Sequence, residues 1–108
     1  MTAGIVFKIV PRAEWAAVID AYDGSAHDFL HFSTREQLPE TLRRHYAGQD
    51  DLLLVAVDPV RLGAALKWEH APSRGEDFPH LYGPLPKSAV SWVKPIPKDA
   101  QGGFIIPE

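Results

Sequence analysis

Leu52-Leu53-Leu54-Val55-Ala56-Val57 is an unbroken apolar run of six residues, opened by Asp51 and closed by Asp58-Pro59. A run this short with polar brackets reads as a strand, and its lack of alternation marks it as the central strand of a sheet. Working towards the N-terminus, Ile5-Val6-Phe7-Lys8-Ile9-Val10 is apolar and rich in β-branched residues, a second buried strand. Pro11 follows where a first helical turn tolerates proline, because the missing N–H would be unpaired there anyway. Trp15, Val18, Ile19 and Tyr22 then recur at helical spacing, predicting a helix over 12–22 that Asp23-Gly24-Ser25 stops.

Between these lies Phe29-Leu30-His31-Phe32-Ser33, a further strand. Alternation puts Leu30 and Phe32 on one face and Phe29, His31 and Ser33 on the other. One face is plainly apolar; the other carries an imidazole and a hydroxyl. Ser33 or Thr34 then caps a helix, with Gln37 three residues after Thr34 at capping-box spacing. Leu38, Leu42 and Tyr46 continue at helical spacing to Gly48, and Pro39 either kinks this helix or delays its start.

On the C-terminal side, Asp58-Pro59 opens a short turn or helix ending near Gly63. Leu66-Lys67-Trp68-Glu69 reads as a strand with Trp68 and Glu69 on opposite faces. Ala71 to Asp77, polar with Pro72 and Gly75, reads as a mobile loop. Phe78-Pro79-His80-Leu81-Tyr82-Gly83-Pro84 is rigid and aromatic, and Val90 to Val93 is the last strand. Strand, helix, strand, helix and then several strands predict an α+β fold with a mostly antiparallel sheet. The expected organisation is a single domain over 1–96 with a tail, 97–108, that has few features and reads as disordered.

Composition narrows the function classes. The chain has 108 residues, 45% apolar and 23% charged, which is ordinary for one globular domain. It has no cysteine, so neither a disulfide framework nor a thiolate zinc site is available. The formal net charge is -3 with Lys and Arg scattered, which argues against nucleic acid as a partner. No secretory signal and no membrane-length apolar stretch is legible, so no membrane partner and a cytoplasmic location are expected. A small molecule is the expected partner. No Gly-x-Ser-x-Gly elbow or phosphate-cradling glycine loop occurs. His31, His80, Glu69 and His70 lack the close spacing that a metal site favours, so none is expected.

The candidate site residues each have an ordinary structural role as well. His31 and Ser33, two residues apart on one face, can grip a polar ligand such as a ribose diol. Ser33 and Thr34 also suit a helix cap. Trp68 suits either a core or a stacking platform. Glu69 suits either a solvated edge or a general base. His80 and Tyr82 share a face if their segment is extended, which suits a pocket wall or a packed turn.

Taken in order, several segments resemble a bacterial family, the domain of unknown function 952. They are Phe7-Lys8-Ile9 with Glu14-Trp15, Gly24-Ser25, Leu30-His31-Phe32-Ser33-Thr34 with Gln37, Gly48 with the strand to Val57, Leu66-Lys67-Trp68-Glu69, and Phe78-Pro79-His80-Leu81-Tyr82-Gly83-Pro84-Leu85. The resemblance spans roughly Ile5 to Val93. The chain departs from the family where Ala26-His27-Asp28 leads almost directly into Phe29, a shorter connection than usual. The family's fold is similar to that of the ADP-ribosyltransferases, a small split antiparallel sheet with two helices that binds NAD in a central cleft. The resemblance therefore implies NAD or an ADP-ribose-related compound as ligand, with His31 and Ser33 or Thr34 on the ribose. Tyr82 or Trp68 would stack and Glu69 would be the catalytic carboxylate of an ADP-ribosyl transferase or glycohydrolase. A ligand-binding or regulatory module without turnover, and a structural protein using exposed aromatics as a contact, are the alternatives.

Overall fold

A computed structural model describes residues 4–24 and 28–107. The apolar run forms β4 (Leu52–Val57), buried at every position and central in a three-stranded antiparallel sheet. On one side it pairs with β1 (Val6–Pro11), so that Lys8 faces Val55 and Ile9 faces Leu54. On the other it pairs with β8 (Val90–Pro95). A continuous aliphatic strand belongs where both sheet faces are covered, and here they are. On one face, Phe7, Ile9, Leu52 and Leu54 pack against Leu38 and Leu42 of α2 (Leu38–His45). On the other, Val6, Val10, Val55 and Val57 pack against Leu30, Phe32, Leu81 and Leu85.

The second half of the fold is another antiparallel sheet, ordered β3 (Leu30–His31), β6 (Glu76–Leu81) and β5 (Leu66–Ala71). Strands β2 (Ala21–Tyr22) and β7 (Leu85–Pro86) form a small antiparallel ladder beside it. The two larger sheets meet along residues 30–33. Leu30 and His31 pair with β6, and the Phe32 amide donates to Pro79 O at 2.9 Å. One residue later, Ser33 exchanges both backbone hydrogen bonds with Phe7 of β1, each at 2.8 Å. A single extended segment thus changes partners from one sheet to the other. The architecture is α+β with antiparallel sheets, as the element pattern predicted.

The helix expected over 12–22 is shorter: α1 covers Arg12–Ala16 only. The chain must turn back so that Ala21 and Tyr22 can pair with β7, and Lys87 N reaches Asp20 O at 2.9 Å. The apolar stripe splits accordingly. Trp15 and Tyr22 still meet, with ring centroids 6.2 Å apart, but Ile19 is 83% exposed. The second helix starts late, with Pro39 in its first turn where no internal hydrogen bond is lost. The stretch 71–77 is not a loop but the end of one strand, a tight turn at 72–75 and the start of the next. The polar residues that suggested a loop belong to an edge hairpin whose one face meets solvent, where strands carry polar side chains. Nor does 97–107 form a detached tail. Phe104 and Ile106 pack at the rim of the α2 core beside Trp92, and Arg35 donates to Pro107 O at 2.9 Å. Among the described residues, no helix is long and apolar enough to cross a membrane.

Candidate functional site

The junction segment 29–33 forms one wall of a cavity of about 690 Å³, within the size range of small-molecule sites. Its alternation is as read from the sequence. Leu30 and Phe32 are buried in the core between the sheets and border the cavity only from behind, while Phe29, His31 and the buried Ser33 lie on the segment's other face. His31 lies directly opposite His80 across the β3–β6 ladder, and their rings meet edge to face with centroids 5.1 Å apart. Phe29 stacks on His80 at 4.2 Å and also touches His31 and Tyr82, at 4.7 and 5.2 Å. The result is an aromatic corner built from two strands.

Behind that corner, Glu69 holds His80. Lys67 and Glu69 of β5 share a face with Phe78 and His80 because they are cross-strand partners. His80 Nδ1 donates to Glu69 Oε1 at 2.8 Å, and the Tyr82 hydroxyl donates to the same oxygen at 2.7 Å. These bonds, that of His80 foremost, hold the Glu69 carboxyl below its usual range, and the Tyr82 phenol is raised by its bond to Glu69. With Nδ1 committed, the remaining nitrogen of His80, Nε2, makes no hydrogen bond to the described residues and is not sealed from solvent. A carboxylate-oriented imidazole with one ring nitrogen left over can accept a proton or a ligand hydrogen bond.

Ser33 anchors the opposite end of the segment. It is buried, and its Oγ shares a 3.1 Å hydrogen bond with Thr41 Oγ1, to which Arg74 Nη1 also donates at 3.1 Å. Arg74 reaches there from the hairpin turn, stacked over the Phe78 ring at 4.5 Å. Thr34 has the structural role instead. It and Gln37 bond reciprocally, Thr34 N to Gln37 Oε1 at 3.0 Å and Gln37 N to Thr34 Oγ1 at 3.3 Å. That is the capping box read from the sequence, placed over the turn that leads into α2.

The structure therefore brings His31, Ser33 and His80 together in one cavity. Glu69, bonded to His80, and Tyr82, bonded to Glu69, stand behind His80 and outside the cavity lining. Trp68 and Thr34 line a separate depression of about 570 Å³ with Trp92 and Ile5. Trp68 sits on the opposite face of β5 from Glu69, 51% exposed, and so cannot stack on a ligand beside His31. Of the short connection Ala26-His27-Asp28, only Asp28 falls among the described residues. Sequence reasoning passed over Phe29, Lys8, Thr41 and Arg74, which also line the cavity. The signal for Lys8 was present: a charged residue at the centre of an apolar β-branched strand. Arg74 and Thr41 carried none, because only the tertiary fold brings the hairpin turn over α2. Among the described residues, no group of three or more His, Cys, Asp and Glu is placed to hold a metal ion.

Comparison with known proteins agrees with the resemblance in the motifs. The family model described as a protein of unknown function, DUF952, matches residues 9–93, and the chain belongs to that family. The crystal structure of protein CC0527 from Caulobacter crescentus is similar over 94% of this chain and 93% of its own, at 39% identity and a TM-score of 0.85. The solution NMR structure of CC0527 matches at 41% identity and a TM-score of 0.80, covering 92% of this chain and 90% of that one. No curated protein matches the chain.

Proposed function

We propose that this member of the DUF952 family is a pocket protein for NAD or an ADP-ribose-related compound. The observation that carries the reading is the convergence of His31, Ser33 and His80 on one cavity from a segment shared by two sheets. A sugar diol needs hydrogen-bonding groups a few ångströms apart on a rigid element. His31 and Ser33, two residues apart on one face of an extended strand, supply that spacing. The aromatic corner of Phe29 and His80 offers a flat surface for a planar ring. Two small antiparallel sheets meeting at such a segment are consistent with the split-sheet architecture of the ADP-ribosyltransferases, which is support by analogy of fold.

The position of Glu69 favours binding over carboxylate-assisted cleavage of the nicotinamide–ribose bond. Its Oε1 is taken by two donors, and it lies behind His80 rather than in the cavity. One observation favours a catalytic reading: Glu69 orients His80, whose free Nε2 is then the group available to move a proton. In that reading Glu69 is a positioning residue.

Calorimetric titration with NAD and with ADP-ribose separates these readings. The expected result is saturable binding that His31→Ala weakens about tenfold, the loss of one ligand hydrogen bond. Absence of heat with either ligand at millimolar concentration overturns the proposal. Release of nicotinamide from NAD, lost in His80→Ala, would assign turnover, and binding without release would assign a binding module.

A further inference from the structure

Lys8 occupies a position that the fold alone does not explain. It lies at the centre of β1, on the face of its strand that carries Val6 and Val10, and its cross-strand partner is Val55. Those three valines are buried in the core between the sheets. A lysine inserted into such a run carries its ammonium past aliphatic side chains, and it emerges into the cavity lined by the junction segment. Lys8 is half-buried, and a charge largely withdrawn from water is ordinarily paired. Lys8 forms neither a hydrogen bond nor an ion pair with any described residue. One acid, Glu14 of α1, acts on it electrostatically without reaching ion-pair distance, and its Oε1 accepts from the Tyr22 hydroxyl at 2.8 Å.

We infer that Lys8 is the seat for an oxyanion of the ligand, a phosphate or carboxylate group that enters the cavity and supplies the contact partner that Glu14 does not. The inference deepens the proposed function, since it rests on reading this cavity as a ligand site. The surroundings suit an oxyanion. Arg74 brings a second cation to the same cavity wall, and no described carboxylate pairs with it. Among the described residues that line the cavity, Glu14 is the single acidic side chain. Burial lowers the Lys8 ammonium to about 8, partly opposed by Glu14, so the amine stands near half-charged just above neutrality. An oxyanion at contact distance favours the charged form and draws a proton onto Lys8.

Other groups lining the cavity titrate too: Glu14, Tyr22 of β2, and His45 and Tyr46 at the end of α2. His31 of β3, His70 of β5 and His80 of β6 complete the set. A readout on the lysine itself separates Lys8 from them. The chain has five lysines, and full-length protein carrying carbon-13 at each lysine ε position reports them individually. The Lys8 signal is the one absent from the Lys8→Met variant. Its titration midpoint is expected near 8 in chloride, and should rise by about one unit when phosphate replaces chloride at constant ionic strength. ADP-ribose should produce the same rise at lower concentration, and the other four lysines should not move. A midpoint that is the same in phosphate, acetate and ADP-ribose as in chloride overturns the inference. A rise with phosphate, and neither a rise nor calorimetric binding with ADP-ribose, keeps the seat and removes the proposed ligand. ADP-ribose that binds by calorimetry without moving Lys8 keeps the ligand and removes the seat.

Discussion

Lys8 and Val55 face each other at the centre of the main sheet, and only one of them belongs there on stability grounds. The ammonium is lowered from 10.5 to about 8 by burial, so the unfolded chain binds the proton more tightly than the folded one. Stability therefore rises with pH between about 8 and 10.5, as the penalty of folding with a charged lysine is relieved. Lys8→Met should stabilise the protein at pH 7 by on the order of 1 kcal/mol, an advantage that shrinks above pH 8. Thermal unfolding of both proteins across this pH range checks it, and a destabilised Lys8→Met would show that the stem of Lys8 contributes packing that methionine cannot replace. Gly24 makes the opposite case. It sits at φ +65°, and an added Cβ would collide with the Leu30 side chain. Gly24→Ala should cost roughly 1–3 kcal/mol in chemical denaturation, and a neutral effect would mean that Leu30 has room to move.

At the scale of elements, the decisive pieces are β4 and the segment 29–33. Both were legible because each is governed by local pattern: an aliphatic run for β4, and period-two alternation for 29–33. The start of α2 was half legible: Pro39 allowed either a kink or a late start, and it stands in the first turn. The length of α1 was not. Trp15, Val18, Ile19 and Tyr22 fit a helical stripe, but pairing of Ala21 and Tyr22 with β7 outweighs one further helical turn. The hairpin at 72–75 was missed because polar residues on an exposed edge look like a loop. Its contribution to the site, Arg74, was invisible for the same reason. Gln37 ties these elements together: it is buried, and its Nε2 donates to Asp77 O at 2.7 Å and to Glu76 Oε1 at 3.0 Å. Gln37→Ala should cost about 1–2 kcal/mol by removing the two bonds that tie the start of α2 to β6, as measured by urea unfolding.

At the scale of the whole molecule, two cores share one sheet, and the C-terminal segment closes the outer one. Phe104 and Ile106 pack beside Trp92, Lys98 pairs with Asp50 at 2.9 Å, and Lys98 lies over the Phe104 ring. Removing residues 98–108 should lower stability by roughly 2–4 kcal/mol from lost apolar burial, while leaving the cavity wall at His31 and His80 in place. Ligand binding that survives the truncation would support that separation. The sequence hid this closure because residues 97–103 contain two glycines and a proline, and the two aromatic and aliphatic anchors follow only afterwards. Its candidate site was half legible. His31, Ser33 and His80 carry recognisable polar chemistry on apolar strands and do converge. Trp68 and Glu69 sit on opposite faces of β5, Trp68 at the separate depression and Glu69 behind His80, and neither lines the cavity.

The most direct test of the central claim is a crystal structure of the full chain grown with ADP-ribose. The ligand is expected in the cavity, its ribose against His31 and Ser33 and a phosphate against Lys8. Ligand density in the depression beside Trp68 and Trp92, with the cavity holding only water, would contradict it.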